Sequence, residues 1–319
     1  MATFRAGVDL GATKIQAVVV GPDHGVVGQA RHPTPTEGGP PEVSARIAAT
    51  VEEAAEGAGV AVEELGGVGV GSPGAVDGDA GTVAHARNLP NWDAPFPLAA
   101  TLSDVLGAPV RVDNDVQVAV LAELELGAGK PYSSFLGVWW GTGVGGGIVL
   151  DRRLWLGRGA AGEIGHVVVK RGGARCPCGR KGCLEAYAGR GAMEARARSE
   201  VEHGRKTILF ELMKKRGRDR LTSGVWAAAL DHHDHLAKEL IDRAVAALGA
   251  GIASAVNLLD IEAVIIGGGL GTRLGEPYVA RIAEAMQPHL FVDDRPPAMH
   301  PAALGDLGGA VGAALLAEN

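Results

Sequence analysis

Four apolar segments of the chain each run into a glycine-rich turn, and this recurring pattern limits the possible folds more than any other feature. The turns begin at Gly11, Gly71, Gly141 and Gly267. The segments before them have the length and the content of branched apolar residues that are typical of buried strands. Because one strand–turn unit recurs in both halves of the chain, the sequence predicts two related α/β halves that face a shared cleft. A strand followed by glycine is also frequent in unrelated α/β proteins, which is the alternative interpretation.

The length and composition of the chain suit a cytoplasmic protein of two domains. At 319 residues the chain exceeds what a single core usually serves. Its 49 glycines follow no Gly-X-Y period and therefore indicate many tight turns. The net charge of −7 disfavours a nucleic-acid partner. Since there is neither an apolar run of about 18 residues nor a signal peptide, we expect no membrane partner.

The spacing of apolar residues predicts the elements between the turns. Val43, Ile47 and Val51 recur on one face of a helix. The predicted helices cover residues 43–58, 98–106, 115–126, 190–215, 225–230, 236–259 and 307–317. The predicted strands cover residues 4–10, 15–20, 26–31, 67–71, 109–112, 134–140, 148–150 and 263–266, with a hairpin turn at residues 22–25.

Residues 141–146 match the pattern G-x-G-x-x-G, but the residues after them do not suit a dinucleotide site. A dinucleotide fingerprint requires a helix after the glycines, whereas the strand-like residues 148–150 follow here. A nicotinamide dehydrogenase is therefore disfavoured, and the loop is predicted to join two antiparallel strands. Its backbone N–H groups are suited to binding an anion.

The segment Asp9-Leu10-Gly11-Ala12-Thr13-Lys14 combines an acidic residue, a glycine and a hydroxyl at the end of a predicted strand. An Asp carboxylate binds hydrated Mg²⁺, and a Thr hydroxyl donates to a phosphate oxygen. Either this segment or residues 141–146, taken alone, is compatible with a plain glycine-rich hairpin. Together they favour a nucleotide cleft, although the P-loop pattern G-x-x-x-x-G-K-[ST] does not occur in the sequence.

Asn114-Asp115 stands at the start of a predicted helix and has two interpretations. Asp and Asn are favoured helix caps, so the pair has a plain structural explanation. Alternatively, the Asp115 carboxylate accepts a proton from a sugar hydroxyl as a phosphoryl group is transferred. The helix N-terminus lowers the pKa of such a carboxylate and a closed pocket raises it. The sequence alone leaves both interpretations open.

The most specific pattern is a group of one histidine and three cysteines. His166 precedes Cys176, Cys178 and Cys183, which are the only cysteines of the chain. An odd, clustered set in a cytoplasmic protein indicates a metal rather than disulfides. One histidine and three thiolates complete a tetrahedral Zn²⁺ site and leave no open position for catalysis, so we predict structural zinc.

Two polar runs resemble binding motifs and have simpler explanations. Residues 231–235, Asp-His-His-Asp-His, are predicted to be the polar start of a helix rather than a metal site. Residues 214–220, which are rich in Lys and Arg, are predicted to be a solvated helix end or loop.

Together, these motifs resemble the ROK family of sugar kinases and sugar-responsive repressors. The resemblance covers nearly the whole chain and is most specific at residues 163–166, Glu-Ile-Gly-His, with the pattern Cys176-x-Cys178-x₄-Cys183-x-Glu185. It implies an actin-like, hexokinase-type ATPase fold of two α/β domains around a central cleft. We expect a small domain of residues 1–125 and 303–319, and a large domain of residues 126–302 that carries the zinc-binding loop.

The resemblance also implies the roles of individual residues. Asp115 is the expected catalytic base, which takes the proton of the sugar's 6-hydroxyl. The expected sugar ligands are Asn88, Asn114, Glu163, His166 and Glu185, and His166 also binds zinc. The expected nucleotide-binding residues are Asp9, Gly11, Thr13, Lys14, Gly141, Thr142, Gly143, Gly267, Gly268 and Gly269. Gln117 stands where the family often has Asn, and residues 193–235 match the family poorly.

By this resemblance the chain is an ATP-dependent hexokinase that needs Mg²⁺ and forms a homodimer or homotetramer. Glucose is the expected substrate, while mannose, fructose, allose and the N-acetylhexosamines stay open. ATP is favoured over polyphosphate because polyphosphate-using relatives generally lack the cysteine cluster. A repressor of the same family is the alternative, but repressors carry a helix-turn-helix before the first phosphate loop, for which we expect no room ahead of Asp9.

Overall fold

The computed structural model describes residues 4–86 and 88–318, and it divides into two compact units. Unit 1 comprises Met1–Gly127 and Ala303–Asn319, and unit 2 comprises Ala128–Ala302. The strands are β1 Arg5–Leu10, β2 Lys14–Val20, β3 Val26–Pro33, β4 Val68–Ser72, β5 Ala75–Asp77, β6 Thr82–Ala84, β7 Val110–Asn114, β8 Phe135–Trp140, β9 Val144–Leu150, β10 Arg153–Leu154, β11 Ala263–Gly267 and β12 Ala298–Pro301. The helices are α1 Pro40–Ala58, α2 Leu98–Leu106, α3 Asp115–Glu125, α4 Glu185–Ala188, α5 Arg190–Glu202, α6 Leu209–Lys215, α7 Ser223–Asp231, α8 His235–Leu259, α9 Gly268–Leu274, α10 Glu276–Met286 and α11 Gly308–Leu316. Within the described ranges, none of the helices combines the length and the hydropathy that a membrane crossing requires.

The two units are built on sheets of the same topology. The five-stranded sheet of unit 1 has the order β3-β2-β1-β4-β7, and that of unit 2 has the order β10-β9-β8-β11-β12. In each sheet the first three strands are antiparallel neighbours. The last two strands are added in parallel. The α/β fold class is confirmed, and the predicted relation between the halves corresponds to this repeated strand order.

Unit 1 packs helices on both faces of its sheet, and glycine decides how closely one of them approaches. Ala6 and Val8 of β1 are fully buried in the cluster that also contains the apolar face of α1. Because side chains alternate along a strand, Gly7 faces the other side, where a Cβ would overlap the backbone of α11. Gly69 of β4 faces the same helix, so α11 lies directly on the backbone of two adjacent strands.

Replacing Gly69 by Ala is expected to destabilise unit 1 by about 3 kcal/mol or more, the upper part of the usual cost of overpacking. A methyl group there would overlap the Ala313 carbonyl oxygen and lie 2.6 Å from its carbonyl carbon. Gly57→Ala is the matched control, because no atom lies within 4 Å of a Cβ at Gly57 in helix α1. Thermal and urea unfolding measure both variants. An unchanged midpoint for Gly69→Ala would mean that α11 does not pack on β4 in this way.

Unit 2 is centred on β8, β11 and the 25-residue helix α8, whose apolar stripe is buried. Asp234 caps α8 by accepting from the backbone N–H of Ala237 at 2.8 Å. The prediction that residues 231–235 start a helix holds for Asp234 and His235, whereas Asp231 ends α7. Asp234 also accepts from the Thr207 hydroxyl at 3.0 Å and from the Ile208 backbone N–H at 2.8 Å.

Some predicted bounds were wrong. The predicted helix at residues 190–215 is two helices, α5 and α6, because the contacts to Asp234 hold residues 207 and 208 in a connecting segment. Strand β9 begins at Val144 rather than at residue 148, because the intervening glycines pair with β8. Helix α9 begins at Gly268, within what the sequence suggested was a glycine turn.

Candidate active site and metal centre

The carboxyl ends of three parallel strands bring polar residues together in unit 1. Asp9 of β1 is in register with Gly71 of β4, which is in register with Asp113 of β7. The turn after β1 is closed by a hydrogen bond from the Gly11 backbone N–H to the Lys14 carbonyl at 2.9 Å. Ala12 and Thr13 at its tip are exposed. The exposed Thr13 hydroxyl and the Asp9 carboxylate therefore belong to one edge of this sheet.

Asp9 is half-buried, and the protein compensates the charge of its carboxylate poorly. Burial raises its pKa, the Lys14 charge opposes the shift, and the Asp306 charge adds to it. The start of α11 lies against it, since a Cβ on Gly309 would be 3.1 Å from the Asp9 Cγ. A bound cation would stabilise the ionised form of such a group, and Mg²⁺ prefers oxygen ligands. The residue present therefore fits the predicted role as a magnesium ligand.

The structure separates the roles of Asn114 and Asp115. The Asn114 Oδ1 accepts from the backbone N–H groups of Val116 at 3.0 Å and of Gln117 at 3.3 Å, so Asn114 is the cap of α3. Asp115 is the first residue of the helix, and its Oδ1 accepts from Val116 N–H at 2.9 Å. Because Asn114 supplies the cap, capping does not by itself account for an Asp at position 115.

Asn88, another residue predicted to bind sugar, is exposed in a turn of unit 1 that follows β6. The turn is held by backbone hydrogen bonds from Leu89 to Ala86 at 2.8 Å and from Ala86 to Trp92 at 3.0 Å. Trp92 is buried below it and donates its indole N–H to the Val83 carbonyl at 3.0 Å. These hydrogen bonds therefore fix the position of the turn that carries Asn88.

In unit 2 the two predicted glycine turns lie side by side. Residues 141–143 connect β8 to β9, and the Gly141 N–H donates to the Gly143 carbonyl at 3.0 Å. Gly267 is in register with Trp139 of β8, and Gly268 has a φ of 80°, a left-handed conformation that glycine adopts without strain. A Cβ on Gly141 would be 3.9 Å from the Gly269 nitrogen.

Glu185 links the first of these turns to the cysteine cluster. Its Oε2 accepts from the Val144 N–H at 3.0 Å, and a Cβ on Gly143 would overlap the same carboxylate. Its Oε1 is 3.8 Å from the Cys176 Sγ. The predicted sugar ligand thus lies between the glycine turn and the predicted zinc site.

Arg190 also contacts the glycine turn, and sequence reasoning missed it. Its guanidinium donates to the Thr142 hydroxyl at 2.8 Å, and its backbone N–H donates to the Gly141 carbonyl at 3.1 Å. The Gly191 N–H adds a bond to the Thr142 carbonyl at 2.9 Å. The available signal was the Gly-Arg-Gly triplet at residues 189–191, four residues after Glu185.

The candidate ligands His166, Cys176, Cys178 and Cys183 form one cluster, in which all ligand atoms lie within 4.8 Å of one another. The Sγ atoms of Cys178 and Cys183 are 3.8 Å apart, and the Cys176 Sγ is 3.9 Å from the His166 Nδ1. Two sulfurs at about 2.3 Å from a tetrahedral zinc are about 3.8 Å apart, so the spacing and the donor set fit zinc. It is the one such group found within the described residues.

The loop that carries the cysteines is folded by its own backbone. Cys176 N–H donates to the Arg180 carbonyl at 2.8 Å, and Gly179 N–H donates to the Cys176 carbonyl at 2.9 Å. Gly182 has a φ of 86°, and a Cβ there would overlap the Lys170 carbonyl. The loop therefore requires glycine at position 182, and its backbone hydrogen bonds help to bring the cysteines together.

The thiols of this loop differ in acidity. Burial raises the pKa of Cys176 to about 12, whereas a hydrogen bond from the Arg180 backbone N–H lowers the pKa of Cys178 to about 7. Burial also raises the pKa of Cys183. A bound metal would hold all three as thiolates, since thiolates rather than thiols are the ligands of zinc.

The two ring nitrogens of His166 face different groups. Its Nδ1 faces the cysteines, and its Nε2 is 3.8 Å from the Glu163 Oε2. The Glu163 side chain is largely exposed. A zinc-bound imidazole usually has its second nitrogen held by a partner, and Glu163 is placed to serve as one.

Comparison with known proteins gives consistent results over the whole chain. The ROK family model matches residues 5–319. The glucokinase of Thermotoga maritima is 33% identical over 286 residues, which are 89% of this chain and 87% of the relative. The N-acetylgalactosamine kinase AgaK of a Shewanella species is 33% identical over 98% of this chain and 96% of that one. The crystal structure of a ROK family glucokinase from Streptomyces griseus in complex with glucose and AMPPNP is 32% identical, with 99% of both chains covered and a TM-score of 0.84.

The family match extends from β1 to the end of the chain and so includes the glycine turns, Asp115 and the cysteine cluster. The similarity to each relative likewise covers most of both proteins. On this evidence the chain belongs to the ROK family.

Proposed function

We propose that this protein is an ATP-dependent hexokinase that transfers the terminal phosphoryl group of ATP to the 6-hydroxyl of a hexose, with glucose as the preferred substrate. The observation that carries the proposal is its likeness, over 99% of both chains, to a glucokinase whose structure contains glucose and AMPPNP. The repeated sheets with polar residues and glycine turns at their carboxyl ends support it further.

In the proposed reaction the sugar's 6-oxygen attacks the γ-phosphorus, the bond from that phosphorus to the β–γ bridging oxygen breaks, and ADP leaves. The Asp115 carboxylate accepts the proton of the 6-hydroxyl, which makes the oxygen a better nucleophile. Asp9 would hold Mg²⁺, which supplies charge neutralisation on the phosphates when bound. Thr13 and the backbone N–H groups of Thr142 and Gly143 donate to phosphate oxygens, in the turn that the Gly141 N–H closes. Phosphoryl transfer needs little more than this positioning and charge stabilisation.

The remaining assignments concern the sugar. We assign Asn88, Asn114, Glu163, His166 and Glu185 to its hydroxyl groups. Carboxylates and amides are suited to this because each sugar hydroxyl both donates and accepts a hydrogen bond. The cysteine cluster would bind a structural Zn²⁺ that fixes the loop between His166 and Glu185.

A second candidate substrate class is the N-acetylhexosamines, because the sequence identity to an N-acetylgalactosamine kinase, 33%, equals that to the Thermotoga glucokinase. The two classes differ at the sugar's second carbon, where an acetamido group replaces a hydroxyl. A comparison of glucose with N-acetylglucosamine, which differ at that carbon alone, therefore reports on the ligands of that position.

A direct assay of sugar 6-phosphate formation over a panel of sugars tests the proposal. The panel holds glucose, mannose, fructose, allose, N-acetylglucosamine, N-acetylmannosamine and N-acetylgalactosamine, each with ATP and with polyphosphate. We expect the highest kcat/KM with glucose and ATP. A higher kcat/KM for an N-acetylhexosamine would replace glucose as the substrate. No phosphorylation of any sugar, with sugar-dependent DNA binding by the full-length protein, would favour the repressors of the family instead.

A further inference from the structure

Arg190 contacts the turn of residues 141–143, and the nearby Glu194 carboxylate already accepts four hydrogen bonds from other groups. Arg198 donates to the Glu194 Oε1 from Nε at 3.1 Å and from Nη2 at 2.7 Å. Arg220 Nε and the Leu221 backbone N–H each donate to the Oε2 at 3.0 Å. Burial would raise the pKa of Glu194, but these donors hold it below its ordinary value. Both oxygens therefore serve groups other than Arg190.

Arg190 carries a positive charge without a matching anion in the described part of the chain. Within the described residues, its side-chain hydrogen bond goes to the neutral hydroxyl of Thr142, at 2.8 Å. Burial lowers the pKa of Arg190, the Arg220 charge adds to this shift, and the Glu194 charge opposes it. A guanidinium nevertheless stays protonated in proteins, so a half-buried cation persists at this place.

The surroundings of Arg190 leave access for a ligand on the side of the turn. Thr142 is exposed at the tip of the turn. Gly191 lies between the turn and Arg220, since a Cβ there would be 3.5 Å from the Thr142 carbonyl and 3.8 Å from the Arg220 Nη2. Two guanidinium groups, an exposed hydroxyl and a glycine-rich backbone therefore meet at one point of unit 2.

We infer that Arg190 is a ligand for a phosphate group of the nucleotide, and this inference rests on the proposed kinase function. Thr142 occupies one N–H of the guanidinium and leaves others for phosphate oxygens, to which arginine donates in bidentate pairs. Arg190 is thus a nucleotide-binding residue that pairs with the phosphate that the adjacent turn is proposed to hold. The alternative is that Arg190 only tethers α5 to the turn, and the two roles differ in what they do to ligands without phosphate.

The test compares Arg190→Met and Arg190→Lys with the control Arg196→Met. Arg196 lies on the same helix, is half exposed and pairs with Glu200 at 2.5 Å, so its replacement removes the same charge away from the turn. Isothermal titration with MgATP, MgADP and adenosine measures binding directly, and steady-state assays give the KM values for ATP and glucose. For Arg190→Met we expect about a 10- to 100-fold loss of affinity for ATP and ADP, as for other hydrogen bonds to charged groups.

Affinity for adenosine and the KM for glucose should stay unchanged in Arg190→Met, and Arg196→Met should match the wild type throughout. Arg190→Lys keeps the charge but cannot donate two parallel hydrogen bonds, so we expect an intermediate loss of ATP affinity. If Arg190→Met does not fold, the Arg190→Lys variant decides. Unchanged ATP affinity, or an equal loss for adenosine and ATP, would overturn the inference and leave a structural tether.

These outcomes are separable from a failure of the proposed function. If the wild type binds ATP but phosphorylates no sugar, the kinase proposal fails, while the titrations still decide the role of Arg190. If the wild type phosphorylates a sugar and Arg190→Met binds ATP normally, only the inference fails. A wild type that binds no nucleotide overturns both.

Discussion

Asp115→Asn is expected to lower kcat by about 10²- to 10⁴-fold, the usual contribution of a general base. The amide keeps the size of the side chain but cannot accept the proton of the sugar's 6-hydroxyl. The fold should be retained, because the cap of α3 is Asn114 rather than Asp115. Binding of glucose and ATP should change little, so the effect should lie in kcat rather than in KM. Coupled kinetics with separate titrations of both substrates measure it.

Glu125→Gln is the matched control for this variant. Glu125 lies at the other end of the same helix with an exposed side chain, so its replacement removes a charge from α3 without touching the start of the helix. It should have wild-type kcat. If Asp115→Asn is as active as Glu125→Gln, then Asp115 is not the base and the proton leaves by another route.

Cys178→Ser is expected to remove the zinc and to lower the melting temperature by about 10 °C, because metal that binds only the folded state is part of the folding free energy. The KM for the sugar should rise about 10- to 100-fold, since the loop aligns His166 and Glu185. The KM for ATP should change much less, because the turn of residues 141–143 is also held by backbone hydrogen bonds from Gly141, Arg190 and Gly191 that do not involve the cysteine loop. Metal analysis, thermal melting and separate glucose and ATP titrations measure these effects.

Lys181→Ser provides the control for the cysteine variant. Lys181 is exposed on the same loop and offers no ligand atom to the cluster. It should keep one zinc per chain and a wild-type melting temperature. Zinc loss in Cys178→Ser with an unchanged sugar KM would show that the metal stabilises a loop that takes no part in sugar binding. Full zinc occupancy in Cys178→Ser would show that the ligand set is wrong.

The sequence predicted the parts of the fold in which local pattern and tertiary structure agree. Helix α8 has a long apolar stripe and an acidic cap, and the predicted range of 236–259 differs from the observed His235–Leu259 by one residue. Strand β12, with four half-buried residues that include a proline, has no such pattern and was not predicted. The break between α5 and α6 depends on Asp234, which lies 27 residues after Thr207 in the sequence. Such long-range contacts leave no periodic signal in a sequence.

The same limit applied to the candidate site. The cysteines were predicted to form one cluster because their spacing and chemistry suffice, and the structure brings their ligand atoms together with His166. The contact between Arg190 and Thr142 joins residues 48 positions apart, and the sequence marks neither as a partner of the other. The saturation of Glu194 by two arginines was equally hidden, because Arg220 belongs to a basic run that was predicted to be only solvated. The roles given to Asp115 and the sugar ligands stay predictions until the variants are measured.

The return of α11 to unit 1 has a consequence for the order in which the protein is made. Residues Ala128–Ala302 form a unit that is continuous in sequence, so all of it is synthesised before α11 begins. Unit 1, by contrast, begins first and stays open until α11 has been synthesised, because Gly7 and Gly69 are covered only by that helix. The earliest part of the chain therefore finishes folding last, and until then one face of its sheet is uncovered and open to non-native contacts.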